Sequence, residues 1–135
     1  MAKADLWIEF NDIASMKESK PLMLYFFHPD EETDNEDTKN MIRRCGIMDE
    51  EILGSEDVRR ASLGFHCLKC NWKDDMGEEL KKKYKITLVP KVIFFDVRGK
   101  KVWQLTSTKA NPKGIAKKMD KIAIASKKLI EKLNK

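Results

Sequence analysis

The run Ile86-Thr87-Leu88-Val89-Pro90-Lys91-Val92-Ile93-Phe94-Phe95-Asp96 constrains this chain most, followed as it is by Val97-Arg98-Gly99-Lys100 and a second apolar segment, Lys101 to Thr106. Proline has no backbone donor, so it belongs at the first residue of a strand or on an edge and not inside a ladder. Pro90 therefore marks a strand entry, and the strand itself starts at Lys91. Val92 to Phe95 has no polar interruption, which suits a strand covered on both faces, and Arg98-Gly99 supplies the turn for a hairpin with Lys101 to Thr106.

Composition limits what can surround that hairpin. With 135 residues, 41% of them hydrophobic, the chain suits one domain, 1–135, with a real core. No apolar run approaches the roughly 20 residues that a membrane span needs. Met1 to Asp5 is neither a signal peptide nor a lipidation motif, so the expected home is cytoplasmic, or periplasmic or exported had a leader been removed. Three cysteines are too few for a disulfide framework, and their odd number leaves at least one thiol unpaired.

The net charge of +5 conceals two opposed regions. Asp30 to Asp57 holds eleven acidic residues against three basic ones, whereas Arg98 to Lys135 holds twelve basic against two acidic. No aromatic residues or glycine loop interleave those lysines, so they read as a solvated helix face and no nucleic-acid partner is expected.

In chain order, Leu6, Trp7, Phe10, Ile13, Ala14 and Met16 recur at helical intervals, which predicts an amphipathic helix over Asp5 to Glu18. Lys20-Pro21 ends it, and Leu22 to Phe27 has the length and apolar content of a strand. Residues 28–37, His28 to Asp37, form a polar insertion with six carboxylates. Their spacing lacks the glycine and terminal glutamate of an EF-hand, so no metal is expected there and a solvated loop is the simpler reading. From Thr38 the apolar residues Met41, Ile42, Cys45, Met48, Ile52 and Leu53 recur every three or four positions, and Ser55 caps a second short helix. Gly64 to Trp72 reads as a strand and Lys73 to Lys85 as a short helix. Asn111-Pro112 opens a long amphipathic helix with Ile115, Met119, Ile122, Ser126, Leu129, Ile130 and Leu133 on one side.

Three of these stretches resemble the thioredoxin superfamily. Leu80-Lys81-Lys82-Lys83-Tyr84-Lys85-Ile86-Thr87-Leu88-Val89-Pro90 looks like the family's junction between a helix and the proline-led hairpin. The order helix, Lys20-Pro21, strand, followed by Cys45, Met48, Asp49, Ser55 and Val58, is similar to the subgroup typified by the carboxy-terminal domain of the thiol:disulfide interchange protein DsbD. The resemblance implies a thioredoxin-like α/β fold, a mixed sheet of about four strands at Leu22, Gly64, Lys91 and Lys101, flanked by helices on both faces. It also implies that Pro90 is cis, that Val89 offers its backbone to an extended protein or peptide substrate, and that no cofactor is needed.

The chain departs from the family where the chemistry should be. A short loop with Trp-Cys-x-x-Cys should follow the first strand, yet the acidic insertion stands there and no cysteine appears before Cys45. On one alignment Ile42 occupies the attacking cysteine's place and Cys45 lies one turn inside the helix, facing the core. On another, Arg44-Cys45-Gly46-Ile47-Met48 resembles Trp-Cys-Gly-Pro-Cys with its second cysteine replaced by Met48. Cys45 is then an exposed nucleophile, its pKa lowered by a helix N-terminus and by Arg43 and Arg44. Tyr25 and Leu24 occupy the place where many family members bury a proton-moving acid.

The only Cys-x-x-Cys is Cys67-Leu68-Lys69-Cys70. In an extended strand its two thiols are about 10 Å apart on opposite faces, whereas a disulfide wants Cα atoms within roughly 7 Å. Either could instead bond Cys45, the pair could join His66 around a soft metal, or all could be reduced core cysteines. Zinc normally takes four such ligands and the chain has three Cys and two His, so no metal is expected.

Two functions follow. One is an atypical thiol redox or thiol-handling protein, with Cys45 as the working thiol, Cys67 and Cys70 as candidate redox partners, and Val89-Pro90 presenting the substrate. The other is a redox-inactive binding module that keeps the groove beside Pro90 without the chemistry.

Overall fold

Strand-length apolar runs alternate with amphipathic helices along the chain, and the computed structural model, which describes residues 7–8 and 20–133, pairs the runs into one mixed sheet. The elements are β1 (Trp7–Ile8), β2 (Leu22–Phe27), α1 (Glu36–Ile47), α2 (Glu56–Ala61), β3 (His66–Asn71), α3 (Asp75–Lys83), β4 (Lys91–Phe95), β5 (Lys101–Leu105) and α4 (Pro112–Leu133). The sheet order is β1-β3-β2-β4-β5, with β2 parallel to β3 and antiparallel to β4. The four expected strands are all present, and β1 adds two residues beside β3.

The helix expected over Asp5 to Glu18 falls mostly outside the described residues. Trp7 and Ile8, the two that are described, instead pair with Cys67 and Leu68. A parallel ladder satisfies their backbone groups as a helix would, and the apolar spacing alone does not separate the two.

The uninterrupted runs of β2 and β4 are buried on both faces because helices cover each side. Met23, Tyr25, Val92 and Phe94 point to one side and pack with Val58 and Ala61 of α2 and Ile115, Ala116 and Met119 of α4. Leu24, Phe26, Ile93 and Phe95 point to the other and pack with Ile86, Val89 and Leu80. Fully burying each such side chain stabilises the fold by about 1.5–3 kcal/mol, so this double layer is the main source of stability. Across it, Phe94 stacks on Trp103 of β5 at 5.0 Å and meets Phe65 edge-on at 5.6 Å. The outer strand β5 is blunted as an edge by Lys101 and by an irregularity in its register at Phe94 and Phe95.

Local chemistry sets where the helices begin and end. Asn35 caps α1 by accepting from the Thr38 amide at 2.9 Å, so the helix starts at Glu36, two residues before the expected Thr38, and takes Glu36 and Asp37 into its favourable first turn. A π-helical turn, Met48–Ile52, follows directly. Its wider turn re-aims the chain: Met41 and Cys45 pack on one face of the sheet, while Met48, Ile52 and Leu53 pack on the other. Asp74 caps α3 through the Gly77 amide at 2.7 Å.

The end of α3 directs the chain towards Pro90. Ile86 donates to the Lys81 carbonyl at 2.8 Å and Lys85 to that of Lys82 at 3.3 Å, a Schellman stop with Lys85 at φ 55°. Glycine takes that conformation without the Cβ penalty, so Lys85→Gly is expected to raise the unfolding free energy by about 1 kcal/mol. Gly77 presents the opposite case, because a Cβ there would collide with the Asn71 carbonyl oxygen at the end of β3. Gly77→Ala should therefore lose about 1–3 kcal/mol despite alanine's better helix propensity, and urea titration of the two variants gives both signs.

Candidate functional site

The antiparallel pairing of β2 with β4 fixes the geometry of the site. Its register runs from Leu22 opposite Phe95 to Phe26 opposite Lys91, so the start of β4 lies beside the end of β2. Pro90 precedes Lys91, and the Val89–Pro90 peptide is cis. His28, just past β2, is buried, as are Val89 and Pro90.

Cys45 is held at this corner from two sides. The His28 amide donates to its Sγ at 3.4 Å, and the Tyr25 hydroxyl donates to its backbone carbonyl at 3.2 Å. Its side chain joins the cluster containing Phe26, Cys70, Ile86 and Val89, and it is only 3% exposed. His28 in turn donates from Nδ1 to the Pro29 carbonyl at 2.8 Å and meets Trp72 edge-on at 6.0 Å.

This setting works against a thiolate. Cys45 stands two residues before the end of α1, so the positive end of the helix dipole is far from it. Burial pushes its pKa up and the Asp49 carboxylate adds to the rise, outweighing the His28 amide, the Tyr25 hydroxyl and the Arg44 cation, which favour the thiolate. Asp49 itself lies on the π-helical turn and pairs with Lys69 at 3.5 Å. Burial likewise raises the Tyr25 phenol, with Asp49 and Cys45 contributing.

The other two cysteines are also free and buried. Cys70 lies on the same sheet face as Cys45, whereas Cys67 lies on the opposite face among Met23, Phe65 and Met119. The strand thus separates the Cys-x-x-Cys pair, and the sheet lies between Cys67 and Cys45. Burial lifts the Cys70 pKa to about 11 and that of Cys67 to about 12. Among the described residues, no group of three or more His, Cys, Asp or Glu is placed to hold a metal ion.

Outside this buried corner, Arg44, Thr87, Leu88, Val89, Pro90, Lys91 and Thr106 line a groove of about 300 Å³. Leu88 projects from its wall, 61% exposed. Thr87, Leu88 and Val89 lie outside the strands, and among the described residues none of their amides or carbonyls takes part in a backbone hydrogen bond. Thr87 and Leu88 are exposed there and leave unpaired main-chain groups next to an apolar side chain, whereas Val89 is buried. In the sequence Arg44 reads only as a cation beside Cys45, and neither Leu88 nor Thr106 stands out as a binding residue. An exposed leucine just ahead of the strand-entry proline was the available signal for Leu88, while Thr106 is brought in only by the hairpin's return.

The acidic insertion is more structured than a free loop. Residues 28–35 are irregular, but Glu31 pairs with Lys73 at 2.9 Å, which ties the stretch to the approach to α3. Asp30, Glu31, Glu32 and Asp34 share a second cleft with Lys39, Ile42 and Arg43. No helix among the described residues is long and apolar enough to cross a membrane.

Solved structures with this arrangement exist at low sequence identity. A thioredoxin from Thermus thermophilus superposes with a TM-score of 0.68 at 16% identity, over 89% of this chain and 88% of that one. A structure described as DsbH oxidoreductase gives 0.65 at 20% identity, over 87% and 83%. The Fasciola hepatica thioredoxin gives 0.51 at 16% identity, over 83% and 89%. The chain has a thioredoxin-like fold. No family model and no curated protein sequence matches it. At these identities the likeness extends to the fold and not to an activity.

The thiols of this thioredoxin-like chain determine a measurable pH response. Cys67 and Cys70 keep their protons in the folded state up to about pH 12 and 11, whereas an unfolded cysteine titrates near pH 8.5. Their contribution to stability is therefore fully present below about pH 8.5 and lost as the pH rises towards the folded values. Each thiol that ionises only on unfolding costs up to about 1.4 kcal/mol per pH unit in that window. Chemical denaturation between pH 8 and 10.5 is expected to show the decline, and Cys67→Ser with Cys70→Ala should lessen it, with Cys45, whose pKa is also raised, supplying what remains.

Proposed function

We propose that this thioredoxin-like chain is a redox-inactive binding module, in which the groove beside Val89 and Pro90 receives an extended polypeptide and Cys45 is structural. The observation that carries the reading is the contrast between the two halves of the site. Thr87 and Leu88 are exposed at a groove with their main-chain groups unpaired, while all three thiols are buried and their pKa values raised.

An extended segment laid along the exposed residues 87–88 would pair with their amides and carbonyls as an added strand does, with Val89 and Pro90 forming the groove floor beneath it and its side chains meeting Leu88. Thiol–disulfide exchange needs a thiolate with access to the attacked sulfur. Cys45 has neither, and its Sγ is engaged by the His28 amide. Cys70 shares the sheet face of Cys45, but both thiols sit inside the apolar cluster.

Three measurements made together test the reading. With dithiothreitol as reductant, the protein should not accelerate insulin reduction above the uncatalysed rate. Its three thiols should react with iodoacetamide at pH 7 at least about a hundredfold more slowly than after unfolding in urea. A ¹⁵N-labelled sample titrated with an unfolded, carboxymethylated polypeptide should show shifts concentrated at residues 87–91, 44 and 106. Insulin turnover that disappears in Cys45→Ser would overturn the module reading and restore the thiol enzyme.

A further inference from the structure

The charges lining the groove point to the kind of segment it accepts, and this inference rests on the binding reading just given. Of the seven lining residues, two are cations, Arg44 and Lys91, and none is a carboxylate. The nearest residue in sequence gives an internal comparison. Arg43 shares its cleft with Asp30, Glu31, Glu32 and Asp34, carboxylates of the chain itself, although its own hydrogen bond is to the Asn40 side chain at 3.5 Å. Arg44, one position on, lines a different cleft, the groove beside Pro90, where no acidic residue lines the wall. Among the described residues Arg44 forms no ion pair, and its Nε is buried without a hydrogen-bond partner.

A half-buried guanidinium without a counterion is costly unless something else supplies one. Thr87 and Thr106 add hydroxyls at the same groove, and Leu88 supplies the apolar surface. We propose that the groove selects extended segments carrying an acidic side chain, Asp or Glu, whose carboxylate pairs with Arg44 while a neighbouring apolar side chain covers Leu88. Arg44 is then the specificity-determining residue of the site. Lys91 acts as a second, longer-range attraction, from the first position of β4.

Three peptides of one design test this: Ser-Gly-Val-X-Leu-X-Gly-Ser, with X as Glu, Gln or Lys, each titrated into the ¹⁵N-labelled protein at about 50 mM salt. The glutamate peptide is expected to bind at least about tenfold more tightly than the glutamine one, as a charge-assisted hydrogen bond implies, with the lysine peptide weakest. The preference should shrink as salt is raised. Arg44→Gln should remove it, bringing the affinities for the glutamate and glutamine peptides to within about twofold of each other. Arg44→Lys, which keeps the charge without the planar fork, should retain part of it and provides the reading should Arg44→Gln fold poorly. Equal affinities for the glutamate and glutamine peptides, with shifts still at residues 87–91, would overturn the acidic selectivity and leave the binding module standing. Failure of all three peptides to bind would overturn both.

Discussion

The pairing of β2 with β4 is the constraint on which the rest of this molecule depends. Five residues of each strand face one another in an antiparallel ladder, every one of them apolar on the β2 side. Because both strands are buried on both faces, a slip of one residue would exchange the two halves of the core, moving Met23, Tyr25 and Phe94 against α3 and Leu24, Phe26 and Ile93 against α4. The register is therefore fixed by packing on two sides at once. Pro90, Val89 and the end of α1 are brought together as a consequence of that register, and the groove exists because the ladder begins at Lys91 and leaves the three residues before the proline unpaired.

What happened to the thiols follows from the same arrangement. A long irregular approach, residues 28–35, separates β2 from α1, so the helix enters with Asn35 and places Cys45 near its far end. At that depth the sulfur meets the His28 amide and the apolar underside of Val89 and Ile86 in place of solvent. Where a working thiol needs a positive helix terminus and access, this one has a buried position and a nearby carboxylate, Asp49. The surface that remains is made of main chain, leucine, threonine and two cations.

Much of the fold was readable from the residues. The apolar runs at Leu22 and Lys91, the turn at Arg98-Gly99, the Ser55 cap and the Asn111-Pro112 start carry strong local signals, and the structure has an element at each. The first strand was missed because Trp7 and Ile8 sit in a stretch whose apolar spacing also fits a helix. The start of α1 was placed late because Glu36 and Asp37 read as part of an acidic loop, although they are good first-turn residues once Asn35 caps them. The π-helical turn at Met48 has no signature in spacing, since its apolar residues still recur every three or four positions while switching from one sheet face to the other.

The site was less legible than the fold. Val89 and Pro90 could be singled out because proline at a strand entry is a local fact, but the placing of Arg43 and Arg44 in different clefts depends on how α1 is rotated against the sheet. Withdrawing all three thiols from solvent has a wider consequence. A groove lined by no cysteine or methionine presents the same face under peroxide stress, in a glutathione-rich interior or in an oxidising exterior, so its shape and charge are insulated from the redox state of its surroundings.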